Sequence, residues 1–163
     1  MMVALGHTAV GVIVGVTGFQ LFDQTDLIGG LAITGAAGVI SHYLADFIPH
    51  GHFVGPDKIK QNLLPIIIFD LLLPIVLLLG AVYLRVGFSD KLLFVLFGIG
   101  GAHLPDVLDG LLMINLIKAK GIIKMENDFH QALHWHGTGS KTLLLGIRDI
   151  WQIIMVFLAW YMI

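Results

Sequence analysis

Five apolar runs dominate the chain, at residues 3–22, 27–46, 62–84, 91–117 and 143–163. Polar breaks separate them: DQTD at 23–26, GPDKIKQN at 55–62, RVGFSDK at 85–91 and a longer stretch from Lys118 to Thr142. A bilayer core about 30 Å thick takes about 20 apolar residues of helix to cross. Backbone groups in lipid must be satisfied within the segment or a closed barrel, and runs of this length select the helix. The expected fold is all-α: a polytopic membrane helical bundle of about five transmembrane helices, forming one integral membrane domain over 1–163.

Composition supports that reading. The chain has 163 residues, 57% hydrophobic and 12% charged, with a mean hydropathy of +0.91, whereas soluble domains carry about 25% charged residues. A core this small cannot hide so much apolar surface from water. The net charge of -2 leaves no basic footprint for nucleic acid. There are no cysteines, which removes disulfides and thiolate metal sites. The start, MMVALGHTAVGVIVGVTGF, lacks the basic segment and cleavage site of a signal peptide. Glycines crowd the second and fourth runs (GGLAITGAAG, FGIGGAH), where they allow helices to approach closely.

Basic residues set the expected orientation. Lys58, Lys60, Lys118, Lys120, Lys124 and Lys141 fall in loops on the side of the N-terminus, and only Arg85 and Lys91 on the other. Positive loops favour the cytoplasm, so the N-terminal side is expected inside and the C-terminus outside.

On this topology every histidine falls on the cytoplasmic side. His7 opens the first run. SHYLADFIPHGH, at 41–52, carries His42, Asp46, His50 and His52 at the end of the second. Asp70 lies early in the third run, GAHLPDVLDG puts His103, Asp106 and Asp109 in the fourth, and FHQALHWHG holds His130, His134 and His136. Carboxylates inside membrane segments mark function by default. His42 and Asp46 are four apart, hence on one helix face, as are His130 and His134 if that segment is helical. Pro105 frees carbonyls beside its site. Imidazole with carboxylate suits zinc, and also manganese or iron. The candidate ligands are His7, His42, Asp46, His50, His52, His103, Asp106, His130 and His134, more than one tetrahedral ion needs. Two or more ions, or one ion with a full outer shell of carboxylates, both fit. Taken singly, His7 also reads as a packing histidine and His52 or His136 as solvated. The tryptophans read as interface anchors.

Two stretches, GAAGVISHYLADFIP and GIGGAHLPDVLDG, share small residues followed by histidine and aspartate, a short internal repeat in which each hairpin would supply half a site.

HYLADFIPHGH resembles the metal-binding signature of the zinc-dependent phospholipase C and single-strand nuclease superfamily, through His42, Asp46 and His52. The whole layout is similar to the LexA-binding family of small inner-membrane metal-dependent hydrolases: GHTAVG early, LPDVLD in the middle, FHQALHWH near the end. The aspartates of PDVLD stand three apart where that family has two. The resemblance implies a multi-helix fold in a prokaryotic inner membrane, a zinc-type centre and hydrolysis of a phosphoester.

A metal at the membrane boundary would acidify water and polarise a phosphoryl oxygen. Asp106, Asp109 or Asp70 would take the proton, with Asp109 the first candidate. Level with the headgroups, membrane lipids become both environment and substrate. Serine-hydrolase and phosphate-loop signatures are missing. Two alternatives belong to other classes: a metal-ion or proton transporter, which the scarcity of polar residues on the far side disfavours, and a non-enzymatic bundle stapled by its metal.

Overall fold

The computed structural model describes residues 3–23, 26–48, 66–133 and 143–163. Among these, the chain forms α1 (Val3–Phe22), α2 (Leu27–Asp46), a π-helical segment (Ile66–Leu72) running into α3 (Leu73–Val86), α4 (Asp90–Met113), α5 (Gly121–Leu133) and α6 (Leu143–Met162), with no strand among the described residues. The all-helical expectation holds, and the first two runs coincide with α1 and α2 to the residue.

Three helices, rather than five, are long and apolar enough to cross a membrane among the described residues: α1, α2 and α4. The third run is divided. Pro74, at the start of α3, has no N–H to offer the preceding turn, so the chain enters through wide π turns and regular α-helix covers only Leu73–Val86. In α6, the described apolar stretch is Ile150–Met162. The fourth run ends early, at Met113 instead of 117. Asn115 takes a left-handed conformation, φ 60°, and the Leu116 and Asn115 amides bond back to the Leu111 and Leu112 carbonyls at 2.9 and 3.0 Å. That is a Schellman stop, for which asparagine is second only to glycine.

α1 lies at the centre, packed against α2, α3, α4 and α6. Its buried Ala9, Val12 and Val16 join Leu78 and Val82 of α3, Leu92, Val95 and Ile99 of α4, and Ala159 of α6 in one apolar core. Glycines set the spacing of α1, α2 and α4. A methyl on Gly98 would strike the Gly11 carbonyl, one on Gly101 the Gly35 carbonyl, and one on Gly38 would stand 2.6 Å from the Gly98 carbonyl oxygen. These backbones touch directly, as small residues permit where hydrocarbon removes the usual hydrophobic drive between helices. The outer surfaces remain apolar: Ile28 on α2, Leu84 on α3 and Phe157 on α6 are exposed. Such a surface suits lipid.

The two ends of the bundle differ. At one end Arg85 sits over the Trp160 ring at 4.3 Å and Lys91 Nζ donates to the Ile163 carbonyl at 3.1 Å. The histidines gather at the other.

Candidate metal centre

Four helices bring the cluster together. α1 contributes His7 one turn from its start. α2 contributes His42 and Asp46 in its last turns, and α4 contributes Asp106 and Asp109 in its second half. α5 folds back beneath them with His130. His7, His42, Asp46 and His130 are each 1% exposed or less.

Their imidazole nitrogens converge on one carboxylate. Asp46 Oδ2 lies 3.0 Å from His130 Nε2 and 3.2 Å from His42 Nε2, and its Oδ1 lies 3.2 Å from His7 Nε2. His42 and His130 stand Nε2 to Nε2 at 3.0 Å. Asp106 Oδ1 is 3.9 Å from each. The His7 ring stacks on His42, centroids 4.2 Å apart.

The outer contacts decide which nitrogen carries a proton. His42 Nδ1 lies 2.7 Å from the Ala102 carbonyl oxygen. A carbonyl only accepts, so Nδ1 is the protonated nitrogen and Nε2 presents its lone pair. His130 Nδ1 faces Asp109 Oδ2 at 3.1 Å, and an acceptor-only carboxylate there favours the proton on Nδ1. Two lone pairs would then meet at 3.0 Å beside a carboxylate oxygen. Such an arrangement calls for a positive charge among them: a proton or a metal ion.

The donor set fits a small metal ion. A tetrahedral ion with ligand bonds of about 2.0–2.1 Å has ligand–ligand edges of about 3.3 Å, close to the 3.0, 3.0 and 3.2 Å edges linking His42, His130 and Asp46. Among the described residues, two overlapping groups could hold an ion, His42–Asp46–His130 and His7–His42–Asp106. They share His42, whose single available lone pair serves one ion, so they form one centre rather than two separate pockets. Carbonyl and carboxylate contacts behind ligating histidines are the usual way such rings are oriented and made more basic.

The metal-free electrostatics agree. Burial alone pulls the His130 imidazolium down, but the Asp109 and Asp46 hydrogen bonds and the charges of Asp109 and Asp106 outweigh it and push the group up to about 10.

Of the residues expected from sequence, His7, His42, Asp46, Asp106 and His130 meet. Asp109 stands behind His130 and also accepts from Gln131 Nε2 at 2.7 Å. His103 lies beside the centre, its ring 6.3 Å from that of His7, with Nε2 hydrogen-bonded to the Thr8 hydroxyl at 2.8 Å. His50, His52 and His134 fall outside the described residues, as does His136; Asp70 lies in the π-helical segment, its side chain likewise outside the description. Sequence reasoning missed Thr8, the Ala102 carbonyl, and the pair Tyr43–Glu126, in which the phenol donates to Glu126 Oε1 at 2.9 Å. Glu126 was findable, since it precedes His130 by four residues on the same helix face. The Ala102 carbonyl carries no side-chain signal.

Comparison with protein-family models, with curated proteins and with solved structures yields no match to this chain.

Proposed function

We propose that the chain is a membrane-embedded, zinc-type metal-dependent hydrolase acting on a lipid-borne phosphoester at the cytoplasmic face of a prokaryotic inner membrane. One observation carries the reading. A buried His42–Asp46–His130 triad with oriented imidazoles opens on one flank to Asp106, whose side chain is 32% exposed. A purely structural site closes its coordination with protein ligands, whereas a catalytic one keeps a position open. The resemblance to zinc phospholipases and to inner-membrane hydrolases supports the same class.

The ion would be held by His42, Asp46 and His130, with His7 against the other oxygen of Asp46. When bound it supplies Lewis acidity, acidifying water and polarising a phosphoryl oxygen. Asp106, facing both Nε2 atoms from the exposed flank, takes the proton from the attacking water. Asp109 holds His130 in orientation. The centre lies at one end of helices long enough to span, which supports a site level with headgroups and a phospholipid as its substrate. The lysines of the loops on that side support a cytoplasmic orientation for it.

The test is to incubate zinc-loaded protein with mixed membrane lipids and with soluble phosphodiesters, following products by mass spectrometry. Metal-dependent release of a headgroup or phosphate that stops in Asp106→Asn is expected. A fully metallated protein inert on both classes, yet moving zinc across vesicle membranes, would instead establish a transporter.

A further inference from the structure

Among the described residues, helix α5 has an apolar face that nothing covers. Ile122, Met125 and Phe129 follow the i, i+3, i+7 spacing of one helix face and are 81%, 71% and 52% exposed. A different flank of the same helix carries His130 and Glu126 inward, toward Asp46 and Tyr43. A third flank is polar, with Lys124 paired to Asp128 and Gln131 beside them. A helix touching only protein and water has no use for such an apolar sector.

Two further observations say what covers it. The Phe129 ring meets Tyr43 edge-on at 5.1 Å, which fixes Phe129 at the level of the last turns of α2, a part of that helix that also exposes Leu44 and Phe47. The stripe therefore continues the apolar surface of a membrane-length helix at that helix's end. Basic residues gather where the helix begins: Lys118 and Lys120 in the link from α4, and Lys124, paired to Asp128, in the first turn. An apolar stripe with basic residues gathered at the start of the helix makes the pattern of a helix lying in the membrane interface, drawn to anionic headgroups.

We infer that α5 is an interfacial helix whose Ile122–Met125–Phe129 stripe is seated at the headgroup–acyl boundary of an anionic bilayer, so that the lipid surface covers the helix that supplies His130 to the centre. This stands apart from the proposed hydrolysis and would hold for any activity of the cluster.

The test uses the full chain, whose lack of native cysteine permits single labels. Spin labels are placed through Ile122→Cys, Met125→Cys and Asp128→Cys, all exposed positions that leave the fold intact, with the protein in nanodiscs containing phosphatidylglycerol. Labels at 122 and 125 are expected to collide preferentially with oxygen, which concentrates in lipid, and the label at 128 with water-soluble chromium oxalate. Equal chromium oxalate access at 125 and 128 would overturn the inference and leave the stripe for a soluble partner. Dipolar broadening at 125 that vanishes on dilution with unlabelled protein would overturn it in favour of a second copy of this chain.

Discussion

His42 Nδ1 donates to the Ala102 carbonyl oxygen at 2.7 Å, across the contact between α2 and α4. The bond ties the tautomer of a ligand candidate to the spacing of two backbones. Gly38 sets that spacing one turn earlier on α2: a Cβ there would stand 2.6 Å from the Gly98 carbonyl oxygen and 3.0 Å from Gly101 Cα. Gly38→Ala is expected to push the helices apart and destabilise the protein by about 1–3 kcal/mol, read by thermal unfolding in micelles. Gly100→Ala, on a face with nothing within 4 Å, should leave the midpoint unchanged. Equal effects would show that close contact is not what matters at Gly38.

Asp46 is the common neighbour of three imidazole nitrogens. Asp46→Ala should abolish stoichiometric zinc, measured by metal analysis after desalting, while circular dichroism keeps its helical signature. It should also lower metal-free stability, since removing one partner of a buried ionic cluster costs roughly 3–5 kcal/mol. Retained zinc would move the ion's anchor to another donor.

Much of this centre was legible in the chain. The boundaries of α1 and α2 follow from apolar runs ending at polar breaks, and His42 with Asp46 declare themselves by a four-residue spacing inside a greasy helix. What escaped depends on backbone. The Ala102 carbonyl has no side chain to read, and the stop after Met113 rests on Asn115 adopting a left-handed conformation. That stop turns the expected loop at 118–142 into a site for α5, which folds back and delivers His130. In the third run Pro74 and Asp70 interrupt the apolar pattern, and regular α-helix begins only at Leu73.

Membrane orientation can be checked through exposed single cysteines. Phe88, in the link between α3 and α4, is 90% exposed, and Asp128 lies on the polar flank of α5. Phe88→Cys should react with a membrane-impermeant maleimide in intact cells, and Asp128→Cys only after the cells are opened. The reverse pattern would place the histidine end outside and remove the argument for a cytoplasmic substrate.

A metal ion held between His42 and His130 would compete with a proton for the same place. In the metal-free protein His130 is raised on folding from 6.5 to about 10. A raised group stabilises the fold fully below its ordinary value, and that contribution is lost as pH climbs towards the folded value. Thermal stability of chelator-treated protein should therefore decline as pH rises from about 6.5 to about 10, and His130→Asn should flatten the decline. Because binding must expel that proton, zinc affinity should rise by up to about tenfold per pH unit in this window. An affinity independent of pH, by competition with a zinc dye, would exclude His130 as a ligand.

Asp109 separates two roles that its position in the sequence left merged. As a general base it would be dispensable for holding metal, and Asp109→Asn would keep zinc while losing turnover. The geometry favours a positioning role: Oδ2 lies 3.1 Å from His130 Nδ1 and also accepts from Gln131, so the carboxylate serves the back of a ligand ring. Asparagine keeps the shape and an acceptor oxygen but loses the charge that makes His130 more basic. Asp109→Asn should then weaken zinc binding by about 10–100-fold, as loss of outer carboxylates does, and activity should recover at saturating zinc. Asp106→Asn, on the exposed flank 3.9 Å from both Nε2 atoms, should show the opposite balance, with zinc largely retained and turnover lost at every zinc concentration. If instead Asp109→Asn binds zinc like the wild type and stays inactive at saturation, the proton acceptor is Asp109 and the roles of the two aspartates exchange.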